Sequence, residues 1–190
     1  DRLFGNQKWT FPAWHQRFED GNIFPYGEYA LSRHGLLQTN EHDGVPVNFI
    51  PTEQEPPVKV VSVPKTQTSP RIIAEEPTCM MYMQQGIMHS LVPSLEKDSL
   101  VGPMIGFTDQ NPNREMARIG SITGELATLD LKEASDRVPY AVIRELIRPI
   151  APTLWEGMDA CRSRTANVNG STHTLNKFAS MGSALCFPVE

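Results

Sequence analysis

The chain has 190 residues, of which 39% are apolar, and a formal net charge of −5. That length allows one domain or pieces of two, and the composition supports a packed core, so wholesale disorder is excluded. No apolar run reaches the roughly 18 residues of a membrane span and no signal-peptide pattern opens the chain; the scattered Cys79, Cys161 and Cys186 make neither a disulfide framework nor a zinc knuckle, which favours a soluble protein of a reducing compartment.

The acidic balance is uneven. Residues 1–57 hold four basic and eight acidic groups, whereas 58–74 hold Lys59, Lys65 and Arg71 and no acid. An anion-binding surface, if present, is therefore local, and the net charge alone argues only weakly against a nucleic-acid partner.

Residues 1–57 are rich in aromatics, Gly, Pro and His without sustained periodicity, and read as short elements joined by loops. Val58 to Val63 is a β-branched run ended by Pro64 and reads as a strand; after a polar loop, Arg71-Ile72-Ile73-Ala74 reads as a second. Pro77 opens a helix whose apolar set (Met80, Met81, Met83, Ile87, Met88, Leu91) has helical spacing and which Pro93 is expected to stop. The methionines read as core packing. Residues 94–120 look loop-rich, with a short helix around 113–119.

Leu126 to Leu131 reads as a strand with Asp130 near its end, on the face opposite Ala127, Leu129 and Leu131. A helix is expected to start at Ser135 or Asp136, with Pro139 in its first turn and Val138, Val142, Ile143, Leu146 and Ile147 as its apolar stripe, stopped by Pro149 and Pro152. Asn169-Gly170 is a hairpin signal joining about 162–168 to about 171–178. A small-residue cluster, Ala179 to Ala184, follows. The chain lacks an initiator Met and stops within what reads as an unfinished element, so a fragment of a longer protein is expected.

Three of these segments carry chemistry. A strand-end carboxylate such as Asp130 suits a hard divalent cation, which takes oxygen ligands; Asp136, six residues on, suits a sugar hydroxyl. The plainer alternative is that Asp130 ends a strand and Asp136 caps a helix. Lys59, Lys65 and Arg71 suit a polyphosphate, with the guanidinium fit for bidentate contact, or they decorate a solvated hairpin. Ser180, Gly182 and Ser183 allow close backbone approach to a ligand, or tight helix packing. Other chemistries fare worse. There is no nucleophile elbow around Ser183 and no phosphate loop ending in Lys-Ser/Thr. His15, His34, His42, His89 and His173 show no ligand pairing, and the Asn169-Gly170-Ser171 sequon reads as a turn.

Taken in order, Val63-Pro64-Lys65-Thr66 with Arg71 to Pro77, then Ala127 to Leu131 with Ala134-Ser135-Asp136, then Phe178 to Ser183, resemble the motifs lettered F, A and B of the RNA-directed RNA polymerases of levivirus-like single-stranded RNA bacteriophages. The resemblance spans roughly residues 58–190. It implies an α+β right-hand polymerase: fingers from 1–57 and 58–125, and the front part of an antiparallel-sheet palm from 126–190. It also implies that Asp130 is catalytic and binds Mg²⁺, two ions being expected in a complete enzyme and Mn²⁺ being an alternative. Asp136 would sense the ribose 2′-hydroxyl, Lys65, Arg71 and more weakly Lys59 would contact the triphosphate, and Ser180, Gly182 and Ser183 would line the nucleotide and template site. Ser183 stands where the family commonly has Asn. The implied partners are an RNA template and nascent strand, ribonucleoside triphosphates and host translation elongation factors, with no membrane, in the cytoplasm of a bacterial host. The family's Gly-Asp-Asp turn and thumb are missing: no Asp-Asp occurs anywhere in the sequence. The expectation is thus an incomplete fragment, inactive alone. The competing readings are a non-catalytic RNA-binding or interaction module and a reverse transcriptase-like palm, the latter disfavoured because Lys132 to Ser135 place no bulky aromatic guard beside the first aspartate.

Overall fold

The computed structural model describes residues 11–12, 49–50, 55, 57–65 and 70–190. Most of 1–57, expected to belong to the fingers, lies outside the described residues. What is described there includes two short strands, β1 (Phe11–Pro12) and β2 (Phe49–Ile50), which pair in parallel.

The β-branched run forms β3 (Val58–Pro64), and β4 (Pro70–Glu75) pairs with it antiparallel, Lys59 opposite Glu75 and Val63 opposite Arg71. Alternation then puts Lys59, Val61, Val63, Arg71, Ile73 and Glu75 on one face. The Asn169-Gly170 turn joins β5 (Thr165–Val168) to β6 (Ser171–Thr174), both turn residues taking the positive φ (53° and 85°) that such a hairpin demands. The four strands form one sheet in the order β4-β3-β5-β6. It is mixed and not wholly antiparallel: Val58 pairs with Ala166 in a parallel ladder, a pairing that needs the long crossover supplied by the helices between β4 and β5.

Those helices are α1 (Thr78–Lys97), α2 (Asn111–Thr123), α3 (Tyr140–Ile147) and α4 (Pro152–Ala160), with α5 (Cys186–Val189) closing the described chain. None of the described helices is long and apolar enough to cross a membrane. Met80, Met83, Gln84 and Ile87 make the buried and half-buried stripe of α1. Met80 packs with Ile143, Trp155, Met158, Phe178 and Leu185 in the main core. There the Trp155 ring stands 5.4 Å from Tyr140 and 6.4 Å from Phe178. A smaller cluster of Val58, Ala74 and Ala166 lies on the sheet.

Five local expectations change. Helix α1 runs through Pro93 to Lys97, because the turn that loses its hydrogen bond is exposed and water can satisfy it. Residues 111–123 form a longer helix than expected, closed by Gly124 at φ +72°, whose N–H reaches the Gly120 carbonyl at 2.9 Å. Pro139 is extended and precedes α3, so Ser135–Arg137 form only a 3₁₀ turn; Pro152, expected as a stop, sits in the first turn of α4. Residues 126–131 are not a strand. They pair with no strand among the described residues, and Leu129 and Leu131 are 87% and 75% exposed, so propensity there has no ladder to join. Asp130 consequently stands in an exposed segment without regular secondary structure and not at a strand end.

Candidate functional site

Strand β4 is a sheet edge, and edges carry unpaired backbone groups. One is used by the small-residue turn: the Ala74 N–H donates to the Met181 carbonyl at 2.9 Å. The next residue, Gly182, has φ +118°, and a Cβ there would stand 2.5 Å from the Ala74 oxygen and 3.3 Å from Ile73 Cγ2. Only glycine allows that approach. Ile73 shares its face with Arg71, so the turn abuts the face that carries the guanidinium. Two segments 108 positions apart in sequence, Ala74 and Gly182, are brought together by this contact.

The turn is held from behind. The Ser183 N–H donates to the Ser180 carbonyl at 2.9 Å, the Cys186 thiol donates to that same carbonyl at 3.0 Å, and the Leu185 N–H donates to Ser183 Oγ at 3.2 Å. Gln84, fully buried on α1, accepts from the Ala184 N–H at 3.2 Å and donates to the Cys161 carbonyl at 2.7 Å. The Ser180 side chain is buried, Ser183 is half-buried and Gly182 is exposed.

Asp136, in the 3₁₀ turn before α3, accepts a hydrogen bond from Lys177 Nζ on its Oδ1. The two backbones run alongside each other: Pro139 bridges to Lys177, the Tyr140 N–H donates to the Asn176 carbonyl at 2.8 Å and the Phe178 N–H donates to the Val138 carbonyl at 2.8 Å. Beneath this stretch lies Arg162, buried, whose guanidinium donates to the carbonyls of Phe178 (3.0 Å), Leu175 (3.2 Å) and Lys177 (3.0 Å). Its charge is shared with Asp159 at 3.8 Å and with the Tyr140 ring, 4.4 Å from the ring centre. Burial pulls the guanidinium pKa down and, with the Asp159 charge acting in the same direction, pushes the Tyr140 phenol up. Burial also pushes the Cys186 thiol up to about 11; the Glu190 and Asp136 charges add to the rise and Lys177 opposes it.

The other predicted residues are placed differently. Lys65 and Arg71 are exposed near the loop end of the β3–β4 hairpin; residues 66–69 between them lie outside the described residues. Lys59 is at the far end, about 13 Å along β3 from the position opposite Arg71, and its amine is paired with Glu75 at 3.4 Å. Asp130 is exposed, and no group of three or more His, Cys, Asp or Glu that could hold a metal ion exists among the described residues. The described residues therefore do not by themselves fit a Mg²⁺ or Mn²⁺ centre.

Lys177, Arg162, Gln84 and Glu76 escaped the sequence reading. Glu76 is buried and accepts from the Ser163 hydroxyl and, at 3.4 Å, from the Ser163 N–H. The signal available for Gln84 was its place on the apolar stripe of α1, where a polar side chain must find a partner. Nothing in the spacing pairs Lys177 with Asp136 across 41 positions.

An α+β domain with a mixed four-stranded sheet, an edge strand bearing Arg71 and a glycine turn locked onto that edge defines the class of the site. Comparison with known proteins defines the family. Residues 47–190 match the family described as RNA replicase, beta-chain, and the chain belongs to it. Among its relatives, the RNA-directed RNA polymerase subunit beta of Escherichia virus Qbeta is 38% identical over 133 residues, covering 70% of this chain and 21% of that protein. The RNA-directed RNA polymerase beta chains of Enterobacteria phage GA and Escherichia phage MS2 are each 33% identical over 129 and 131 residues, covering 68% and 69% of this chain and 23% of each relative. The chain thus spans less than a quarter of the length of these relatives.

Proposed function

We propose that this chain is the nucleotide-receiving part of an RNA-directed RNA polymerase that copies a phage RNA genome, comprising fingers and the front of a right-hand palm. The observation that carries the reading is the docking of the 180–183 turn onto β4, beside the face that bears Arg71, with Lys177, the hydrogen-bond partner of Asp136, three residues before that turn in the chain. Family membership supplies the reaction class: template-directed nucleotidyl transfer, for which the protein mainly supplies positioning and charge compensation.

In this reading Arg71 and Lys65 bind the triphosphate of the incoming ribonucleotide from the exposed hairpin end, the guanidinium in bidentate fashion. Lys59, tied to Glu75, contributes least. Asp136 accepts the ribose 2′-hydroxyl, the group that separates RNA from DNA precursors. Gly182 and the exposed part of the turn give the nucleotide and template room at the β4 edge, and buried Ser180 and half-buried Ser183 hold the shape of that turn. Asp130 is proposed as one carboxylate of the ion-binding set, the rest of which is not among the described residues. The RNA template, the growing strand and ribonucleoside triphosphates are the proposed partners, in the cytoplasm of a bacterial host.

Arg71→Ala in a replicase carrying this chain tests the reading. Loss of a charge-assisted contact raises KM for nucleotides roughly tenfold while RNA affinity holds. An unchanged KM would show that the hairpin is only a solvated surface.

A further inference from the structure

Asp136 is a carboxylate on a short 3₁₀ turn, and a carboxylate so placed has two rotatable bonds and no intrinsic preference for the orientation a sugar hydroxyl needs. Its neighbour Arg137 does not fix it, since that guanidinium lies 3.3 Å from Glu133. The cation that does reach Asp136 is Lys177, from the stretch between β6 and the 180–183 turn.

We infer that Lys177 is a positioning residue for sugar selection: it fixes the Asp136 carboxylate so that one oxygen stays available to the 2′-hydroxyl of the incoming nucleotide. The inference rests on the polymerase reading above and adds to it a residue and a division of labour between the two carboxylate oxygens.

Three observations carry it. Lys177 Nζ binds Oδ1, and among the described residues Oδ2 accepts from no other group, so Oδ2 is the oxygen with both acceptor sites open while Oδ1 is already engaged by a cation. The pair is only partly exposed, with the lysine and aspartate side chains at 27% and 31%, so it is screened less than a fully solvated ion pair. The lysine's own backbone is clamped on both sides: the bonds from Tyr140 and Phe178 tie 176–178 to 138–140, and Arg162 occupies the carbonyls of 175, 177 and 178. A lysine on a mobile loop would give charge without direction. Here the ammonium starts from a backbone bridged to Pro139, three residues after Asp136, and Phe178 and Ala179 connect it directly to the turn that docks on β4. Ordering of the carboxylate is thereby completed before the nucleotide arrives, so its entropy cost does not fall on binding.

Single-nucleotide incorporation by a replicase carrying this chain, with ATP and with 2′-deoxy-ATP opposite a templating U, tests the inference. The readout is the ratio of the two kcat/KM values, which does not depend on the fraction of active enzyme. Lys177→Met is expected to lower the preference for ATP roughly tenfold, the scale of one charge-assisted hydrogen bond, with the loss falling mainly on ATP. Lys177→Arg is expected to keep most of the preference. In an Asp136→Asn background Lys177→Met is expected to change the ratio no further, because it acts through that carboxylate. An unchanged ratio, or equal losses for the two sugars as expected of a phosphate contact or a purely structural lysine, overturns the inference and leaves the polymerase reading standing. A wild-type enzyme that incorporates neither nucleotide overturns both.

Discussion

Replacing Gly182 by alanine probes the contact that assembles the site. The added Cβ would stand 2.5 Å from the Ala74 oxygen, a backbone atom that cannot swing aside, and alanine must also hold φ +118°. Strain of a side-chain-bearing residue at such a φ costs about 1–3 kcal/mol. Relief by moving the turn away from β4 breaks the 2.9 Å bond from Ala74 to Met181, which is worth about 0.5–1.5 kcal/mol. The combined loss is about 2–4 kcal/mol, and with a urea slope of about 2 kcal/mol/M the unfolding midpoint falls by about 1–2 M. Gly86→Ala is the control: it lies in α1 with open space around its Cβ, and alanine there is neutral or stabilises by about 0.5–1 kcal/mol. Urea unfolding of the three proteins, with exchange of the Ala74 amide followed alongside, reads both effects. A Gly182→Ala midpoint within about 0.3 M of wild type, with Ala74 still protected, would refute the packing argument.

Arg162→Leu leaves three carbonyls without their donor and Asp159 with Arg164 as its remaining cation, and is expected to destabilise by about 3–5 kcal/mol in thermal or urea unfolding; Arg162→Lys recovers little, since an ammonium cannot present the same fork. A loss under about 1 kcal/mol for Arg162→Leu would remove Arg162 from its assigned place. Glu96 is held below its ordinary pKa first by the Thr108 N–H and then by the Thr108 hydroxyl and the Phe107 N–H. A lowered folded-state pKa means its contribution is full above the unfolded value and disappears as pH falls through the folded one. Protection of the 107 and 108 amides is therefore expected to hold at neutral pH and to fall only as the pH drops below the ordinary carboxylate range, and Glu96→Gln is expected to abolish that dependence; an identical pH profile in the variant would show that other groups hold the loop.

The parts of the fold legible in the sequence are those where one local rule acts without a competitor. Val58 to Val63 and Arg71 to Ala74 are β-branched runs bounded by proline or polar residues, and Asn169-Gly170 supplies the two positive-φ residues of its turn, so both hairpins follow from neighbours alone. Leu126 to Leu131 has the same propensity and forms no strand, because a strand needs a partner ladder and that information lies elsewhere in the chain. Pro152 shows the converse ambiguity: proline after a helix and proline at the start of one look alike in sequence, and α4 was hidden by that. For the site, the small-residue turn at 180–183 was legible as a place of close approach, to a ligand or a helix, but not that Gly182 packs against the backbone of β4. The long-range pairs were not. Lys177 with Asp136, Arg162 with three carbonyls, and Gln84 between α4 and the turn depend on tertiary contacts across tens of residues, for which spacing carries no signal.

In the proposed polymerase Asp136, held by Lys177, reads the sugar of an incoming ribonucleotide. Asp136→Ala tests it most directly, by incorporation of ATP against 2′-deoxy-ATP in a replicase carrying this chain. The account predicts that the preference for ATP collapses while 2′-deoxy-ATP is still incorporated. A preference equal to wild type, or a parallel loss for both nucleotides, would contradict it and make Asp136 a structural partner of Lys177 alone.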